Sequence, residues 1–120
     1  MPTIKGVNSG VLISELKAKT GAVAIALVTG DGRMLGSSLP SGVYGDLFAM
    51  MCATIAGAAN TVSTELRKNP PDHIVIKGKD FTTVLAQFGS GSFVVTVVGP
   101  AADLSRTVSE VDRFVGANAS

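Results

Sequence analysis

The chain changes its hydrophobic rhythm several times, and each change marks an element. In "SGVLISELKAKT" (9–20), Leu12, Ile13 and Leu16 recur at helical spacing, with Asn8 or Ser9 as cap and Gly21 as stop. "AVAIALVT" (22–29) and "RMLGSS" (33–38) are extended runs joined by "GDG", which predicts a hairpin turning at Asp31-Gly32. In the first run Val23, Ile25 and Leu27 alternate with Ala22, Ala24, Ala26 and Val28. Both faces are apolar, so this strand belongs in the middle of a sheet covered on both sides, and its alanine face admits a helix at close range. "LPSGVYGD" is a loop by its Pro and Gly content, and leads to a helix over about 44–67 that stops before "KNPPD", since Pro70 and Pro71 cannot continue it. "HIVIKG" (73–78), "FTTVLAQF" (81–88) and "FVVTVVG" (93–99) predict three strands in an antiparallel meander, joined by "GKD" and "GSGS". The last is again apolar on both faces. A final helix, about 103–116, carries Leu104, Val108, Val111 and Val115 on one stripe behind Asp103 as cap. The order α-β-β-α-β-β-β-α runs without repeat, linker or low-complexity segment, which predicts a single domain over 1–120.

The central helix is unusual because its 18 residues from 47 to 64 carry no charge. At 100° per residue, Phe48, Met51, Ile55, Ala59, Val62 and Leu66 form one stripe, the one expected to cover the sheet. The opposite side holds Met50, Ala53, Thr54, Gly57, Asn60, Thr61 and Thr64, small or weakly polar where a solvated face would show Lys and Glu. Small residues four apart, Ala53 and Gly57, let a second backbone come close. This predicts that the outer side packs on another copy of the chain, two-fold homodimers being the commonest assemblies. Membrane insertion is not expected, because Thr54, Asn60, Thr61, Ser63, Thr64 and Gly57 interrupt the ~20 strongly apolar residues of a span.

Composition agrees with a partner surface and excludes several chemistries. Apolar residues make up 46% of the 120 residues and charged residues 16%, which is greasy for a chain that covers its own surface. With net charge +1, scattered Lys and Arg, one Tyr and no Trp, nucleic acid is not an expected partner. Cys52 is the single cysteine and "MPTIKGVNSG" has no apolar export segment, so a reducing cytoplasmic setting is expected. His73 is the only histidine, so a histidine metal cluster or a second imidazole is ruled out, and its place at a strand start reads as structural. Cys52 has apolar neighbours and no activating cation, the pattern of a small buried hydrophobe. Asp31, Asp46, Asp72, Asp80 and Asp103 fall at turns, loops or caps. No GxxxxGK[ST] occurs, and "GSGS" joins strands instead of opening a helix. No cofactor, metal or enzymatic activity is expected.

Three segments carry a resemblance. "LVTGDGRMLGSSLP" resembles the "DG…SS-P" hairpin signature of the Roadblock/LC7 family, "FAMMCATIAGAANTV" its small-residue central helix, and "HIVIKGKDFTTVLAQFGSGSFVVTVVGPAADL" the three strands before its last helix. The likeness runs from about residue 7 to 115 and is greatest to the smaller archaeal and bacterial members; Lys77 and Lys79 flank Gly78 where acidic residues are common in the family. The resemblance implies a profilin-like α/β/α sandwich with a five-stranded antiparallel sheet. It implies a homodimer in which the long helices pair and the strands at 73–78, with His73, Ile74, Val75 and Ile76, join two sheets into one. It also implies a non-enzymatic scaffold or GTPase-activating role towards a small Ras-like GTPase, with candidate contacts at Tyr44, Asp46, Met50, Thr61 and Arg67 on the exposed ends and flank of the paired helices. The rival expectation is a small-ligand sensor of profilin-like fold, which needs a polar cluster facing a pocket.

Overall fold

A computed structural model of the chain describes residues 9–119. The cap read at Asn8 lies outside the described residues, as does most of the segment read as free of an export signal. The elements are α1 (Ser9–Thr20), β1 (Ala24–Thr29), β2 (Met34–Ser38), α2 (Gly45–Glu65), β3 (His73–Lys77), β4 (Thr82–Gln87), β5 (Ser92–Val98) and α3 (Leu104–Asn118), in the order the hydrophobic pattern predicts. The strands form one antiparallel sheet in the order β2-β1-β5-β4-β3. β1 and β5 lie inside the sheet, as expected for strands apolar on both faces, and every residue of β1 is buried; β4 is interior as well. β2 and β3 are the two edges.

Turn chemistry sets the register. At the β1–β2 hairpin Gly32 takes φ +91°, which its missing Cβ permits, and Thr29 N–H donates to Arg33 O at 2.9 Å. Thr29 Oγ1 accepts from Arg33 N–H at 2.9 Å and donates to the Asp31 carboxylate. That hydrogen bond, helped by Arg33, holds the Asp31 carboxyl below the usual carboxylate range. A bulge between Leu27 and Val28 accompanies the turn. "GSGS" closes the β4–β5 hairpin through Phe88 N–H to Ser92 O at 2.9 Å, and Gly30 N–H donates to Gly91 O at 2.8 Å, tying the two hairpins together. Between β3 and β4 the Phe81 ring lies over Gly78, where a Cβ would come within 2.6 Å of it.

Each face of the sheet has its own core. On one, Leu12, Ile13 and Leu16 of α1 and Val111 and Phe114 of α3 pack on Ile25, Leu27, Ala86, Phe88, Val94 and Val98, with the Phe88 and Phe114 rings 5.6 Å apart. Ala22 joins this core instead of the alanine face, because β1 begins only at Ala24; Val23 is exposed. The α3 stripe is also turned from the predicted one: Thr107, Val111 and Phe114 are buried, while Leu104, Val108 and Val115 are half-buried. Asp103 caps α3 as expected, accepting from Arg106 N–H at 3.1 Å.

On the other face α2 lies alone. Ala49 and Cys52 are buried, with Phe48, Ala53, Ile55 and Ala56 packed beside them, against Ala26, Val28, Leu85, Phe93 and Val95. The sheet-facing side is therefore turned by roughly 70° from the predicted stripe: Phe48 and Ile55 still reach the core and Ala59 is half-buried, whereas Met51, Val62 and Leu66 are exposed. Leu85, Phe93, Ile74 and Ile76 rise from the sheet, so the helix side of a dense contact has to be small. Cys52 lies at the centre of this contact, 5% exposed, and burial pushes its thiol up to about 11. The helix ends ahead of the prolines, in a Schellman closure with Arg67 at φ +57°: Arg67 N–H reaches Thr64 O and Lys68 N–H reaches Ser63 O, both at 2.9 Å.

Two stability predictions follow from the cores. Thr96 is fully buried on β5, and among the described residues its hydroxyl has no hydrogen-bond partner. Thr96→Val keeps the shape and removes the orphaned group, so it should raise the unfolding free energy by about 1 kcal/mol, seen as a higher urea midpoint at unchanged slope; a lower midpoint would contradict it. Cys52→Ala should lose roughly 1–3 kcal/mol from packing alone while leaving partner binding intact. Loss of binding in a folded Cys52→Ala protein would show that the thiol has a further role.

Candidate functional site

The seat of α2 on the sheet determines what it shows to its surroundings. Leu47, Met50, Met51, Val62 and Leu66 are 48–65% exposed along its outer side, and Val43 and Tyr44 extend the patch past the N-terminus. Between the large side chains lie Thr54, Gly57, Ala58 and Thr61, all exposed. The position a Cβ would take on Gly57 has nothing within 4 Å. The outer face is therefore a shallow channel of small residues flanked by large apolar ones.

Its hydroxyls are already satisfied. Thr54 Oγ1 donates to Met50 O at 2.9 Å, and Thr61 Oγ1, Ser63 Oγ and Thr64 Oγ1 donate to Gly57 O, Ala59 O and Asn60 O at 3.0 Å. Each hydroxyl is turned back on the preceding helical turn. Covering this face leaves none of these hydroxyls without a partner, so the desolvation cost that usually opposes burial of threonine is largely absent.

The residues predicted from sequence divide cleanly. Met50, Thr54, Gly57, Asn60, Thr61 and Thr64 are exposed, whereas Ala53 is half-buried against the sheet. Asn60 lies at the seam, lining with Ala56, Pro71, Ile74, Leu85 and Phe93 a crevice of about 20 Å³, room for roughly one water. That crevice is too small for the polar ligand cluster a sensor would need. Tyr44 (80% exposed), Asp46 and Arg67 sit at the two ends of α2. Sequence reasoning missed Leu47, Met51, Val62 and Leu66 as surface residues; the signal was present in the small Ala49, Cys52, Ala53 and Ala56 spaced as a helical stripe.

β3 supplies the second surface. Among the described residues no strand covers its outer edge. Ile74 and Ile76 turn to the α2 side and pack on that core, while Val75 is 43% exposed. His73 turns to the α3 side, where its Nε2 lies 2.6 Å from Asp112 Oδ1. The pair ties an edge strand to a helix. Arg113 is engaged with Glu110 at 2.8 Å and Arg33 lies 3.7 Å from Asp31. Among the described residues no three His, Cys, Asp or Glu side chains are grouped to hold a metal. α2 is long and apolar enough to cross a membrane by length and composition alone, but its small-residue face is committed to the sheet.

A five-stranded sheet between two helical layers is a fold this chain shares with other proteins. A protein of Methanocaldococcus jannaschii is 29% identical over 84 residues, covering 70% of this chain and 71% of its own length. The structure superposes on MglB of Myxococcus xanthus with TM-score 0.86 at 14% identity, over 90% of this chain and 82% of that one. An MglB with a tetrameric arrangement gives TM-score 0.83 at 19% identity, over 98% and 93%. Profilin II of Acanthamoeba castellanii gives 0.67 at 12% identity, over 91% and 94%, which makes the fold the profilin-like α/β/α sandwich expected from the sequence. The Roadblock/LC7 domain profile matches residues 9–98, three quarters of the chain, and the chain belongs to that family.

Proposed function

We propose that the chain works as a homodimer that binds a small Ras-like GTPase and regulates or localises it without supplying chemistry of its own. The observation that carries the reading is the outer face of α2, apolar, uncharged over 18 residues and with its hydroxyls internally satisfied. Such a face gains from being covered and loses little by it. Family membership supports a partner of the Ras-like class, and the tetrameric arrangement of an MglB supports self-association in proteins of this fold.

In this reading the two α2 helices pack through Gly57 and its neighbours, and the ends of the pair, near Tyr44, Asp46, Met50, Thr61 and Arg67, form the platform for the GTPase. Cys52 is a packing residue and His73 a structural one, so activation would act through the partner's own residues. Binding that favours the hydrolysis-competent arrangement of the GTPase switch segments shifts their population, which accelerates hydrolysis with no group inserted into the site.

Light scattering at micromolar concentration should report a dimer. Gly57→Glu should report a monomer, because a carboxylate forced into a dry helix contact costs several kcal/mol. The open space around Gly57 keeps the substitution harmless to the protomer, and replacing glycine in an exposed helix interior should raise protomer stability by about 0.5–1 kcal/mol. A monomeric unmodified protein, or an unaltered Gly57→Glu dimer, would overturn the helix-paired dimer.

For the regulatory role, single replacements of Arg33, Arg67, Arg106 and Arg113 by Ala, measured with a Ras-like GTPase from the same cell at saturating protein, should leave the hydrolysis rate nearly unchanged and weaken affinity at most. A loss of ~1,000-fold from any one, the size of an arginine finger's contribution, would show that the chain supplies catalytic charge.

A further inference from the structure

We propose that one end of the sheet is a docking face for an anionic lipid surface, which the chain meets peripherally with no segment crossing it. The proposal goes beyond the GTPase reading and stands independently of the homodimer.

Strand direction decides which connections share an end. In an antiparallel sheet of order β2-β1-β5-β4-β3 neighbours alternate in direction, so β1 and β4 begin where β2, β5 and β3 finish. Three connections therefore meet at one end: 17–23, from the last turn of α1 into β1; 77–81, between β3 and β4; and 99–106, from β5 into the first turn of α3. Their contacts agree with this. Val23 N–H donates to Val97 O at 2.8 Å, and Lys19, Gly21, Asp103 and Arg106 line one cleft of about 340 Å³.

Charge is divided unevenly between the two ends. The three connections carry Lys17, Lys19, Lys77, Lys79 and Arg106 against Asp80 and Asp103, a surplus of three positive charges. The segments at the opposite end, 30–33, 65–72 and 88–91, hold Asp31, Glu65 and Asp72 against Arg33, Arg67 and Lys68, and balance. All five cations of the basic end are exposed, and among the described residues none is in an ion pair. Lys17 Nζ donates to the neutral Ser38 hydroxyl at 3.0 Å, and Asp103 is occupied as the α3 cap. A net charge of +1 for the whole chain thus conceals a basic end.

Breadth and composition favour a lipid surface as the occupant. Lys17 reaches Ser38 at the end of β2, while Lys77 closes β3 at the other edge of the sheet. Four strand spacings, about 19 Å, separate the two edges, so no single small anion meets both groups. Among the cations stand two exposed apolar side chains, Val23 (52%) and Phe81 (40%), with Pro100, Ala101 and Ala102 exposed on the connection between them. An anionic bilayer attracts the cations and takes such apolar groups into its headgroup boundary. An acidic polypeptide without apolar groups rewards only the charges.

Co-sedimentation with vesicles tests the proposal. At low ionic strength the protein should bind vesicles of equal parts phosphatidylserine and phosphatidylcholine, leave pure phosphatidylcholine vesicles unbound, and be released by salt. Lys19→Ala and Lys79→Ala should each weaken binding about fivefold and together about 25-fold, whereas Lys68→Ala at the other end should not change it. Val23→Ser should weaken vesicle binding about threefold and leave binding to soluble polyglutamate unchanged. Each replaced side chain is exposed, so the fold should survive all four changes. No binding to the phosphatidylserine vesicles overturns the proposal, as does equal weakening by Lys68→Ala, which would make the attraction one of diffuse charge. Polyglutamate bound as tightly as vesicles, with Val23→Ser without effect, assigns the face to an acidic polypeptide and overturns it too. A monomeric protein, or one indifferent to any Ras-like GTPase, overturns the earlier reading and leaves this one standing.

Discussion

Close packing of α2 on the sheet requires small residues where the two meet. Ala49, Cys52, Ala53 and Ala56 bring the helix down onto Ala26 and Val28, between Leu85 and Phe93. Any larger residue on that stripe would lift the helix and open voids in a core whose density leaves little slack. The remaining geometry follows from this contact. Because the sheet side is satisfied by small groups, the large apolar side chains of α2 are displaced outward, where Leu47, Met51, Val62 and Leu66 remain exposed. The opposite face of the sheet needs two helices, α1 and α3, to cover what α2 covers alone, so the molecule has one finished side and one unfinished side.

The architecture could be read from the chain because its strongest signals are local. The Asp31-Gly32 turn, the Asp103 cap, the Gly21 stop and the double apolar faces of β1 and β5 each have one dominant physical cause, and each stands where the pattern places it. What was not legible was rotation. Spacing at 100° per residue defines a stripe on α2 and on α3 but not which side of the helix the core takes. Cores select complementary volume instead: Phe114 faces inward because Phe88 offers a ring to meet it, and Met51 faces outward because the sheet opposite α2 is already bulky. Periodicity alone carries no information about the opposing surface. The same limit applied to His73, whose acidic neighbour Asp112 lies 39 residues away in sequence.

Interaction surfaces usually announce themselves by hydrophobicity, and this one does so incompletely. Thr54, Thr61 and Thr64 lower the apparent greasiness of α2, yet their hydroxyls are bound to carbonyls one turn back and what they present outward is largely methyl. By composition the helix is already apolar; by the groups that water can still bind, it is more so. An open strand edge is a hazard for uncontrolled pairing. Here the edge is five residues long and ends on Lys77, two features that discourage extension by unrelated strands.

Arg67 closes α2 in a left-handed backbone conformation that helices usually give to glycine. An L-residue there costs about 1 kcal/mol relative to glycine, and among the described residues the Arg67 side chain has no hydrogen bond or ion pair that would offset it. Glycine at this position would relieve the lone protomer of that cost, so the stability of the protomer does not account for the arginine that closes the helix.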